Sequence, residues 1–215
     1  MARLPAGVAS WLAVAAQCFA LSQAFAAPED DYRRGMSAYH RGDVATAMSV
    51  LRGPANAGHA PSQSLLAFIL DRGDFAEEAA KLYTQAAAQG DAEALAALGN
   101  FYLTGRGVAK DEKRALEHFS KAAEGGHELA MQVLADAHIR GSMGLDREPR
   151  DFARAQSDLK RAADIGHLPA AEALERAYRQ GGFGLQADAA QAERWRARVA
   201  EIREQRARAA SKARP

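Results

Sequence analysis

With 215 residues, 28 Lys or Arg, 27 Asp or Glu and a formal net charge of +1, the chain can bury an elongated core but does not suggest two independent domains. Its one cysteine, Cys18, falls in the first 26 residues, so the body has no disulfide and depends on packing alone. The charge is unevenly laid out: residues 194–215 carry eight Arg or Lys against Glu201 and Glu204, a net of +6, while residues 27–193 carry a net of −6.

Residues 1–26 read as a secretory signal peptide. Arg3 gives a positive start, Val8 to Leu21 form an apolar core, and Ala24-Phe25-Ala26 matches the small-x-small cleavage rule. Cleavage after Ala26 is preferred, because cleavage after Ala27 would put Pro28 directly behind the scissile bond. An uncleaved anchor is the alternative, and both readings export the body, to the periplasm or beyond. Gln17 before Cys18 fits a lipoprotein signal poorly.

A repeated frame begins next. Residues 27–58 form a diverged first unit: Tyr39 to Asp43 keep a helix ending, but Gly35 stands where the frame has Leu. The full frame, Gly then Leu eight residues on then Gly seven further, follows four times: Gly58–Leu66–Gly73, Gly90–Leu98–Gly105, Gly126–Leu134–Gly141 and Gly166–Leu174–Gly181. Interleaved with it are Ala47–Leu51–Ala55, Ala79–Tyr83–Ala87, Ala115–Phe119–Ala123 and Ala155–Leu159–Ala163, whose spacing of four puts each set on one helix face. Each unit is thus a helix A, a loop and a helix B. Asp43, Asp111, Asp151 and Asp188 stand where N-caps of the B helices belong. A frame recurring every 32 to 40 residues predicts an all-α solenoid of about five antiparallel helix pairs. The array spans 59–203; Arg196 and Arg203 at frame positions make the last helix a cap, and 204–215 a basic tail.

The stretch GNFYLTGRGVAKDEKRALEHFSKAAEGGHELA, residues 99–130, closely resembles the Sel-one-like repeat, a relative of the tetratricopeptide repeat. Residues 60–90 lack its G-x-G-V loop, and Gly141–Arg150 replace it with a longer insert bearing Met and Arg. The resemblance implies a right-handed superhelix with the A helices lining a concave face, and exported bacterial members resemble adaptors in envelope signalling, polysaccharide export or host interaction. By analogy with tetratricopeptide geometry, Asn100, Asp136 and Arg176, two after the frame Leu, point into that face, flanked by Gln132 and Glu172.

The chemistry-bearing residues give no catalytic set. The body has no G-x-S-x-G, no cysteine and no pair of carboxylates placed to separate their pKa values. His59, His127 and His167 each follow a corner glycine, with Asp91 at the fourth corner. Repeat spacing of ~10 Å or more keeps such histidines from sharing one zinc, so they read as polar starts of A helices. His118 and His138 read as partly buried packing residues. No metal, cofactor or enzyme activity is expected. The sequence points to a protein-binding adaptor whose partner it does not identify. A component of a polysaccharide assembly or export system, or a regulator of a cell-wall enzyme, is the alternative. The basic end offers contact with an anionic surface or polysaccharide, and export argues against nucleic acid.

Overall fold

The computed structural model describes residues 28–145 and 152–212. The expected signal peptide, Cys18, Asp151 and the last three residues lie outside them. Among the described residues there are ten helices and no strand: α1 (28–40), α2 (Val44–Asn56), α3 (Ala60–Arg72), α4 (Ala76–Ala87), α5 (Ala92–Thr104), α6 (Glu112–Glu124), α7 (Glu128–Arg140), α8 (Phe152–Asp164), α9 (Leu168–Gln180) and α10 (Ala189–Lys212). None is long and apolar enough to cross a membrane.

The chain divides between Gln89 and Gly90 into two compact units. Chain length alone argued against two domains, but a solenoid whose elements touch only near neighbours separates readily at a repeat corner, and Gly90 is one. In the first unit α3 packs on both α2 and α4. In the second, each helix from α5 to α10 packs on the next, and α7 also touches α9. The fold is an all-α solenoid.

Helix ends follow from local chemistry. Asp43, Asp111 and Asp188 cap α2, α6 and α10, accepting from the N–H of Thr46, Arg114 and Gln191 at 3.0–3.1 Å. Hydrogen bonding to Thr46 holds the Asp43 carboxyl below the usual aspartate value. At Gly105 the backbone turns left-handed, φ 78°, and its N–H closes on the Phe101 carbonyl. The end of α3 is built differently. Gly73 has φ −90° and the positive angle falls on Asp74, φ 66°, so the frame glycine there does not carry the left-handed turn.

The core is made of alanines and a large residue at the frame position of each repeat helix, with further apolar side chains such as Ile69, Leu95 and Phe101 beside them. Ala47, Ala79, Ala94, Ala115, Ala130, Ala155 and Ala170 are buried, as are Leu51, Leu66, Tyr83, Leu98, Phe119, Leu134, Leu159 and Leu174. Where a side chain would obstruct, there is none. A Cβ on Gly99 would stand 2.9 Å from the Phe119 ring, and one on Gly35 would stand 2.6 Å from Leu51. Gly35 therefore replaces the frame Leu because Leu51 fills its space.

The last helix differs from its expected form. It runs unbroken to Lys212, so residues 204–212 are helix rather than a tail leaving the array at 203. Val199 and Ile202 bury against α8 and α9, in one cluster with Leu159 and Leu174.

Two substitutions test this packing. Leu98→Ala should cost about 2–5 kcal/mol, the usual range for a buried leucine. Gly99→Ala should cost about 1–3 kcal/mol by overpacking, and less in a Phe119→Leu background; equal cost in both backgrounds, by denaturant titration, would refute the contact.

Candidate interaction surface

The five residues expected on the A-helix face do not converge. Asn100 and Arg176 are exposed, and Gln132, Asp136 and Glu172 are half-buried. Asp136 pairs with Arg140 at 2.8 Å and borders a cavity of about 210 Å³ with Leu103, Val133 and Met143. Arg176 borders a separate cavity of about 470 Å³ beside Phe152 and Phe183. Glu172 is taken by Arg203 of α10 at 2.7 Å, so this carboxylate faces the capping helix. The A helices of the second unit thus present two polar positions, Asp136 and Arg176, each at its own cavity, not one pocket.

The insert after α7 contributes to this surface. Met143, at φ 55°, and Leu145 are buried, held by a Ser142 N–H bond to the Ala137 carbonyl and a Leu145 N–H bond to Ser142. The sequence shows the insert as polar and irregular because the two apolar residues are separated by Gly144 and match no helical or strand period.

The corner histidines form a repeated contact. Nε2 of His59, His127 and His167 faces a carboxylate on the preceding A helix: Glu29 at 3.7 Å, Glu93 at 3.2 Å and Asp136 at 3.6 Å. His127 Nδ1 also accepts from the Ala130 N–H, which fixes the proton on Nε2, where it donates to Glu93. At the fourth corner Asp91 caps α5 directly through the Ala94 N–H at 2.8 Å. Each of these residues sits at a helix start, on its own corner, and among the described residues no three His, Cys, Asp or Glu are grouped to hold a metal.

A buried side-chain hydrogen bond was not legible. His138 is fully buried, not half-buried as expected, and its Nε2 lies 3.0 Å from Asp158 Oδ2. The signal was in the frame. His138 lies four after Leu134 and Asp158 one before Leu159; the same two positions in the preceding repeat hold Tyr102 and His118. Those rings stack at 5.4 Å with 3° between planes, and the Arg114 guanidinium lies over Tyr102. One intra-repeat site is filled by a ring stack in one unit and by a buried hydrogen-bonded pair in the next. The Tyr102 hydroxyl, accepting from Arg114 at 3.4 Å, holds that guanidinium above its ordinary value.

The basic end is largely engaged within the chain. Arg196 pairs with Glu193 and Glu175, Arg198 with Glu201, and Arg208 with Glu204. Arg198 also donates to the Asp164 carbonyl and Arg206 to that of Gly166, which fastens α10 to the α8–α9 corner. Exposed Arg194 and Lys212 remain without ion pairs among the described residues.

Comparisons place the repeats. The family model of the Sel1 repeat matches residues 60–91 and 92–127. An uncharacterized protein of Neisseria meningitidis serogroup B is 35% identical over 95 residues, which are 44% of this chain and 20% of that protein. The chain therefore matches about a fifth of that relative's length. A Sel1 repeat protein from Oxalobacter formigenes superposes with a TM-score of 0.64 at 25% identity, over 81% of this chain and 73% of that one. A protective antigen present in uropathogenic Escherichia coli strains, displaying an SLR fold, gives 0.69 at 25% identity, over 84% and 39% respectively. A fold of this kind supports a protein–protein interaction scaffold in general terms.

Two histidines set a pH dependence. Burial pushes His118 below its ordinary value of 6.5, helped by Lys121 and Arg114 and opposed by Glu117. Burial also lowers His167, opposed by Asp136 and aided by Arg206 and Arg140. Nδ1 of each ring is buried without a hydrogen-bond partner among the described residues, so a proton there would be unsatisfied. The unfolded chain binds more protons below 6.5, so this stability is complete above 6.5 and is lost as pH falls below it. The melting temperature should drop between pH 7.5 and 5, and drop less in a His118→Gln, His167→Gln double variant; identical slopes would count against the assignment.

Proposed function

We propose that this chain, a Sel1-like repeat protein, is an exported adaptor that binds another protein through the A-helix side of its second unit. The observation that carries the reading is the placing of polar A-helix positions, Arg176 exposed and Asp136 half-buried, beside open cavities on a frame whose core is otherwise closed. Arg176 and Asp136 each border such a cavity, while the frame residues around them, Leu134 and Leu174, are fully buried. A rigid scaffold holding polar side chains at fixed spacing suits recognition of a folded or extended partner. The side chains near these cavities show no nucleophile with an activating base, so recognition rather than turnover is the reading they support. Export rests on the N-terminal 26 residues, whose charged start, apolar core and Ala24-Phe25-Ala26 end fit secretion.

Affinity capture from an envelope fraction, with the partner identified by mass spectrometry, tests the reading. Asp136→Lys and Arg176→Glu should each weaken capture at least tenfold with a melting temperature close to the parent's. Retention of a partner at full strength by both variants moves binding to another surface; recovery of no protein at all ends the adaptor reading. N-terminal sequencing of the exported chain should begin at Ala27.

A further inference from the structure

The cavity beside α9 has a built wall. The loop after α9 closes through a bridge between Gly182 and Leu185, and Gln156 of α8 donates to the Phe183 carbonyl at 2.7 Å. Phe183 is thereby held at φ 48°, a left-handed backbone that non-glycine residues adopt at a cost and keep only where the surroundings fix them. Gly184 is open for the same purpose: a Cβ there would stand 2.6 Å from the Phe152 ring. The result is an apolar recess of about 470 Å³, walled by Ile139, Phe152 and Phe183, with Arg176 and Gln180 on one side. That volume falls in the range of sites for small ligands and single anchor residues, ~300–1,000 Å³.

No carboxylate among the described residues claims Arg176 at this recess. Glu172, one turn before Arg176, is held by Arg203 at 2.7 Å, and the adjacent Glu175 by Arg179 at 3.1 Å and Arg196 at 3.8 Å. Arg176 itself makes no ion pair among the described residues. A planar guanidinium without a partner, next to aromatic walls, suits a carboxylate joined closely to an apolar group.

We propose that this recess takes the C-terminal residue of a partner polypeptide, with its apolar side chain against Phe152 and Phe183 and its α-carboxylate on Arg176. A chain terminus is the protein group that carries a carboxylate and an apolar side chain on the same carbon. An internal Asp or Glu offers the charge without the apolar body, and an internal Leu or Phe offers the reverse. The inference rests on the adaptor reading and deepens it.

Titration of the purified chain with N-acetyl-Leu-Phe, with its C-terminal amide and with octanoate, followed by calorimetry or NMR shifts, tests this. The acid should saturate and the amide should bind about tenfold more weakly, the loss of one charge-assisted pair at 1.4 kcal/mol per decade. Arg176→Gln should make acid and amide equal. Phe183→Gly, which removes the ring, should weaken both about tenfold, with the helical circular-dichroism signal of the parent retained at the titration temperature. Equal affinity of acid and amide for the parent overturns the proposal, as does a ratio that survives Arg176→Gln. Tighter binding of octanoate than of the dipeptide overturns the polypeptide assignment in favour of an acyl carboxylate. A captured partner that binds undiminished after removal of its own last residue also overturns the site, while the adaptor reading stands.

Discussion

Everything in this fold depends on how closely two helices can approach where they cross. Alanine at Ala79, Ala115 and Ala155 on the B helices, and at Ala94, Ala130 and Ala170 on the A helices, removes bulk at the crossings, and all six are buried. Helix axes separated at the low end of ~8–10 Å leave room for one large side chain between neighbours. The volume is conserved rather than the residue. In one repeat Gly99 faces the Phe119 ring; in the next, the same two positions hold Ala135 and Leu159, both in one buried cluster. In the last repeat they hold Glu175 and Arg196, 3.8 Å apart. There Glu175 is mostly buried while Arg196 stays more than half exposed, so the long guanidinium reaches the position from solvent in place of a packed apolar side chain.

The same constraint sorts variation. Positions at the crossings admit only small residues, so chemical change goes to the flanking positions and to the loops. The site shared by Tyr102 with His118 in one unit and by His138 with Asp158 in another shows this. Both are built on the same two helix positions, and the second requires its buried polar groups to be hydrogen-bonded to each other, since one left unsatisfied costs about 1–3 kcal/mol. The loops carry the remainder. Met143 and Leu145 turn an insert into a wall, and Phe183 is held in a strained conformation by the tight turn around it.

Recognition follows from what the frame leaves over. Most charged groups on the A and capping helices are satisfied within the chain, including Glu172, Glu175 and Asp136. The basic end, despite its net charge, spends most of its arginines on intrahelical pairs and on the carbonyls of the α8–α9 corner. Surface pairs of this kind add little stability singly, but they remove charge from the surface available to a partner. Against that background an unpaired guanidinium beside an apolar recess stands out.

The sequence by itself determined the helix registers, the N-caps at Asp43, Asp111 and Asp188, the left-handed turn at Gly105 and the burial of Leu98 and Phe119. These are local: a cap needs a side-chain oxygen three residues before an N–H, and a left-handed turn favours a residue without a Cβ. The likeness of residues 60–127 to the Sel1 repeat was readable for the same reason, because the motif is a string of such local requirements. Tertiary structure alone decided that His138 meets Asp158 across 20 residues, that Glu172 is claimed by Arg203 across 31, and that Gly73 yields its turn to Asp74. Charge pairing depends on distances of a few ångströms between side chains on different helices, and a repeating frame specifies which helices adjoin but not which long side chain reaches which acid. Among the described residues that competition leaves Arg176 without an ion pair, and only the folded arrangement shows this outcome.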